Sequence, residues 1–289
     1  MHNCPIRIHQ GKHIALIMQP RTGSSLLRNY LVDMTDYINL SELFNHNVDT
    51  ATIQLVSNSV SVNYPSNLGR TSLEEDELIT RSNQSLEALA EMSALNKFGV
   101  FSVLIKSFQD TYPELSKLIS GREDIQAIRL ERADVLYGHL SIAISRETKI
   151  WHNQTSLAAD RHIDPFGLSI KWLENMLDRY LVSLDYTKLY FNNAPVIYYE
   201  EFQTAPIKMT TLFSGIPKKI VSTGINKFIG NYKDLVTNIV EVENFYEQFV
   251  NEHKEYFPQY FNKLPYIKIP AAQGRQPRDL SLNTLEETI

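Results

Sequence analysis

The stretch His13-Ile14-Ala15-Leu16-Ile17-Met18-Gln19-Pro20-Arg21-Thr22-Gly23-Ser24-Ser25 decides how this chain is read. Its first six residues form a short apolar run without alternation, the pattern of a strand buried on both faces of a parallel sheet. Pro20 ends the run. Beyond it, Leu26, Leu27, Tyr30, Leu31 and Met34 recur at helical spacing, which predicts a helix starting near Thr22 to Ser24, where small hydroxyl residues can cap it. A loop that leaves a strand and enters a helix presents free backbone N–H groups at the positive end of the helix dipole, and phosphate or sulfate suits such a place. Gly23 allows close backbone approach, Thr22, Ser24 and Ser25 offer hydroxyls, and Arg21 supplies a planar fork of donors. The glycine–lysine pair of a Walker A loop is absent, which disfavours an ordinary P-loop kinase or ATPase. The structural alternative for the same residues is a turn followed by a helix cap.

Outward from that loop, strands and helices alternate. Residues 100–106, 125–130 and 195–199 read as further strands, and residues 85–97, 113–119, 134–151, 165–189 and 240–257 as helices. This alternation predicts an α/β fold, a three-layer sandwich with a mostly parallel central sheet, in which ligands bind beyond the carboxyl ends of the strands. A single domain over 1–270 is expected, with 45–85 as an acceptor-side insertion, rich in Ser, Asn and Thr over 50–75, and 271–289 as a loose polar tail.

Bulk properties narrow the class. Hydrophobic residues make up 43% of the 289, enough for a sizeable core, and the net charge of -5 argues against a general nucleic-acid binder. The single cysteine, Cys4, excludes an internal disulfide framework and fits a reducing compartment. No apolar run approaches the ~18 residues of a membrane span, and the N-terminus lacks a signal-peptide core. A cytoplasmic protein is expected.

Residues 14–27, IALIMQPRTGSSLL, resemble the 5′-phosphosulfate-binding loop of sulfotransferases, closest to the bacterial trehalose sulfotransferase-like branch, where a Pro-Arg-Thr-Gly-Ser core is typical. Many other branches carry lysine where this chain has Arg21. Residues 128–152 resemble the 3′-phosphate-binding segment of the same enzymes, a strand ending in arginine followed by a helix bearing a serine; Arg129 and Ser141 fill those places, and Arg132 is the rival arginine. Residues 196–202, VIYYEEF, resemble a strand-end signature with a mainly structural role, and residues 222–242 resemble the late loop over the nucleotide, in which Lys227 and Tyr232 would meet the 3′-phosphate and adenine. The resemblance spans about 13–245 in the expected order. It implies a P-loop-like nucleotide-binding architecture and an enzyme that moves a sulfuryl group from 3′-phosphoadenosine 5′-phosphosulfate (PAPS) to a hydroxyl of a small molecule, a carbohydrate or glycolipid among the candidates, without a metal.

The acceptor hydroxyl needs a general base. Residues 40–45, LSELFN, resemble the acidic-aromatic segment of the trehalose-type branch, which makes Glu42 the first choice; His46, with an ordinary pKa near ~6.5, is its rival. Two further readings stand beside this one: a nucleotide-dependent phosphotransferase or hydrolase on the same scaffold, and a catalytically silent nucleotide-binding protein. A homodimer is compatible with all three.

Overall fold

The computed structural model describes residues 5–44, 75–105, 111–148, 164–202, 212–214 and 232–258. A two-residue strand, β1 (Ile6–Arg7), leads into the organising strand β2 (His13–Met18), all six residues of which are buried. There follow α1 (Ser24–Met34), β3 (Ile38–Asn39), α2 (Glu75–Ala94), β4 (Gly99–Leu104), α3 (Thr111–Ser120), β5 (Ile125–Glu131), α4 (Val135–Thr148), α5 (Ile170–Phe191), β6 (Val196–Tyr198), the single-turn α6 (Tyr199–Phe202), β7 (Phe213–Ser214), α7 (Tyr232–Leu235) and α8 (Ile239–Glu252).

Five strands form one parallel sheet in the order β3-β4-β2-β5-β6, with β2 central, its Ile17 beside Val103 on one side and Arg129 on the other. β1 pairs separately with β7. Because successive side chains on a strand point to opposite faces, the continuous apolar run of β2 feeds two cores. Ile14, Leu16 and Met18 pack with Leu27 and Leu31 of α1; Ala15 and Ile17 pack with Leu89 and Met92 of α2 and Ile119 of α3. Leu16, Leu27 and Leu31 are wholly buried, each contributing about 1.5–3 kcal/mol of transfer free energy. A third cluster joins Leu140 of α4, Leu177 of α5 and Phe249 of α8. The expected α/β sandwich with a parallel sheet is the observed architecture.

Differences from the sequence reading lie at element ends. The helix expected at 85–97 begins at Glu75, so part of the segment read as an insertion is helical. Residues 165–169 do not join α5: Phe166 bridges to Val236, and Ser169 caps the helix by accepting from Trp172 N. The strand at 195–199 stops at Tyr198, and YEEF turns into α6, where Glu201 accepts from Tyr198 N at 2.7 Å. The late helix ends at Glu252 and gives way to a 3-10 turn, Lys254–Tyr256. Residues 45–74 of the proposed insertion and the tail 271–289 lie outside the described residues.

Candidate functional site

At the carboxyl end of β2 the chain makes a tight reversal. Arg21 adopts φ 64° and Gly23 φ 80°, both left-handed. Gly23 answers to two demands at once, since a Cβ there would lie 2.4 Å from Cδ2 of the buried Tyr199 as well as in a disfavoured backbone region. Thr22, 2% exposed, turns its hydroxyl inward and donates to Gln19 O at 2.9 Å, which closes the loop on itself. A hydroxyl cap was the expectation for α1; instead the N-cap is Gly23, with no side-chain capping bond. The left-handed turn leaves the capping position to a residue that has no side chain. The first-turn N–H groups, which have no intrahelical acceptor, therefore receive no side-chain cap.

The loop and the β5–α4 segment meet through three side chains. Arg21 Nε donates to Ser141 Oγ at 3.0 Å, and Arg132 Nη1 donates to Arg21 O at 2.8 Å. Arg132, just past the end of β5, is 8% exposed and lies between two rings, its guanidinium carbon 4.7 Å from the Tyr137 centroid and 4.6 Å from that of Tyr199. Glu200 faces it at 3.6 Å and accepts from Ala133 N and Asp134 N at 2.9 and 3.2 Å. Glu200 thus holds the start of α4 in place, in line with the structural role expected of that segment. Burial lowers the pKa of both Arg21 and Arg132, and the charge of Arg132 lowers that of Arg21 further. Asp134 and Glu200 offset the charge of Arg132, while Arg21, repelled by its neighbour beside an uncapped helix start, favours an anion.

Tyr232 comes to the same cluster, its ring edge-on to Tyr137 with centroids 5.4 Å apart; burial, then the nearby Asp134, pushes its hydroxyl up to about 12. Arg129 does not join it by any contact among the described residues. It sits within β5 and pairs with Glu131 two residues along the same face. Of the two rival arginines, Arg132 reaches the loop.

A second polar group surrounds Arg28, a residue the sequence reading passed over. Arg28 is 5% exposed, donates from Nη1 to Ser102 Oγ of β4, and reaches Ser25 Oγ from Nη2 at 3.3 Å. Desolvation lowers its pKa to about 10, opposed by the charge of Glu42. The half-buried Glu42 follows Ser41, whose φ is 54°. Glu42 and the hydroxyl of Ser25 are therefore linked through Arg28, on the α1 side of the loop. The available signal was a charged residue within the buried stripe of an amphipathic helix. His46 and Lys227 lie outside the described residues.

Among the described residues no three His, Cys, Asp or Glu side chains cluster as a metal site, and no helix is long and apolar enough to cross a membrane. No protein-family model matches the chain, and no curated protein matches it.

Proposed function

We propose that this chain is a sulfotransferase that uses PAPS as donor and a hydroxyl of a small molecule as acceptor. One observation carries the reading: the two segments that resemble the 5′- and 3′-phosphate-binding motifs, distant in sequence, touch through Arg21, Ser141 and Arg132. A ligand with two phosphate-like groups suits two cations, a serine hydroxyl and an uncapped helix start better than a single phosphate does. Tyr232 beside Tyr137 supplies aromatic surface next to that grip, of the kind a nucleobase packs against.

In this reading the acceptor oxygen forms a bond to sulfur while the bond from sulfur to the 5′-phosphate oxygen breaks. The bonding electrons stay on that phosphate oxygen, where Arg21 and the first-turn N–H groups of α1 stabilise the growing charge. The hydroxyl proton passes to Glu42, whose charge acts on Arg28 beside the loop. The decisive experiment is calorimetry with 3′,5′-adenosine bisphosphate against ATP and GTP, each with and without magnesium. Binding of the bisphosphate alone supports the reading, and a preference for ATP with magnesium overturns it. Glu42→Gln is expected to lower turnover by about 100-fold or more with bisphosphate affinity retained; near-normal turnover removes Glu42 from the role of base.

A further inference from the structure

Behind the anion loop lies a cavity of about 60 Å³ between Gln19–Thr22, the Val135-to-Ile142 face of α4 and the middle of α5. It adjoins the Arg21–Ser141 contact and shares Arg132 with that cluster, but extends away from it, lined by Gly138, His139 and Ile142 rather than by Ser141 and Arg21. Its polar lining is rich in donors: Gln19, Arg132, Arg179 and Tyr180 contribute, and among the described residues no acidic side chain does. One of those donors has no hydrogen-bond acceptor among the described residues. Gln19 is 8% exposed and its Nε2 is buried without a hydrogen-bond partner, whereas Nε of Arg132 faces Glu200 at 3.6 Å. An orphaned buried N–H group costs about 1–3 kcal/mol, so one on the wall of a cavity calls for an acceptor supplied from outside. The rest of the wall is apolar, with Ile105, Ile142 and Met176.

We infer that this cavity seats a small carboxylate-bearing molecule and, resting on the sulfuryl-transfer reading above, that this molecule is the acceptor, a hydroxy acid rather than a neutral sugar. A carboxylate takes several hydrogen bonds and gives none, which matches a donor-rich lining. A free sulfate or phosphate would leave Ile105, Ile142 and Met176 facing nothing, whereas a short carbon body covers them. The room equals a few water molecules, enough for a carboxylate on such a body, and the cavity borders Gln19 and Pro20 at the base of the loop that would hold the sulfuryl group.

The test is calorimetry on the full chain saturated with 3′,5′-adenosine bisphosphate, titrating lactate, its neutral isostere lactamide, glucose, and inorganic sulfate and phosphate. Lactate is expected to bind about tenfold or more tighter than lactamide or glucose. Ile142→Phe, which fills the cavity, is expected to abolish lactate binding with bisphosphate binding intact, and Gln19→Leu to weaken it by about tenfold. The inference fails if lactate is no better than lactamide, if sulfate or phosphate matches it, or if both variants bind it normally. Lactate binding without bisphosphate binding sinks the sulfuryl-transfer reading, and the acceptor role with it, leaving a carboxylate site. Bisphosphate binding without lactate binding sinks this inference alone.

Discussion

The two ends of the central strand bury polar groups in opposite ways. At its amino end His13 is fully enclosed and satisfied on both nitrogens: Nδ1 accepts from Gly99 N at 2.9 Å, and Nε2 meets Leu89 O and Ser93 Oγ at 2.9 and 3.0 Å. At its carboxyl end Gln19 and Arg28 are nearly as enclosed, yet each keeps a buried N–H without a hydrogen-bond acceptor among the described residues, and Nε of Arg132 comes no nearer to Glu200 than 3.6 Å. A native interior leaves few such groups, and their gathering at one end of a sheet marks where binding energy is held in reserve. The amino end is finished as structure; the carboxyl end is finished only by a ligand, which is where open parallel sheets place theirs.

The strongest way to break this contrast is to remove Arg132. Arg132→Leu strips Glu200 of its facing charge, Arg21 O of a donor and two tyrosine rings of their cation. Leaving one partner of a buried pair uncompensated costs about 3–5 kcal/mol, to be read from urea unfolding, and bisphosphate binding is expected to vanish. A loss below about 1 kcal/mol would mean that Arg132 is not part of the frame. Next in size is Gly23→Ala. The left-handed backbone and the clash with the Tyr199 ring together cost about 2–4 kcal/mol, and a stable variant would show that the loop can be reshaped without loss.

Arg28→Met separates structure from function more finely. Methionine matches the length of the stem and removes a charge whose desolvation already lowers its pKa to about 10. The change leaves Ser102 Oγ and Ser25 Oγ without their donor and Glu42 without a nearby cation, so unfolding is expected to lose about 1–3 kcal/mol, while affinity for the bisphosphate falls by about tenfold or more. A large loss of stability with affinity unchanged would place Arg28 with His13 on the structural side.

What the sequence disclosed follows from the range of each signal. The run His13–Met18 and the stripe Leu27, Leu31, Met34 carry their period within one element, so strand, loop and helix could be read directly. Two-residue strands such as β3 have no period to read. The choice between Arg129 and Arg132 was hidden for another reason. Residues two apart on a strand share a face, so Arg129 is claimed by Glu131, while Arg132 lies past the strand end and is free to turn under the loop. That depends on where β5 stops, the least legible property of any element. Arg28 was hidden because its partner Ser102 is 74 residues away on β4, and no local pattern announces a contact of that span.

The smallest expected effect concerns the satisfied end and its pH dependence. Burial lowers the pKa of His13, so the native protein holds it neutral, with Gly99 N donating to Nδ1. The unfolded chain takes up that proton near pH ~6.5. Below that value the unfolded state binds more protons than the native one, and stability falls as pH drops; above it the contribution is fully present. Buried His139, whose pKa is also lowered by desolvation, acts with the same sign. Urea unfolding of the wild type is therefore expected to weaken from pH ~7.5 to ~5.5. His13→Gln, which can still bond to Leu89 O or Gly99 N but cannot titrate, is expected to show a shallower slope in that window, with His139 supplying what remains. An unchanged slope would mean that His13 accepts its proton within the fold, and the amino end of the sheet would then be no better satisfied than the carboxyl end it is set against.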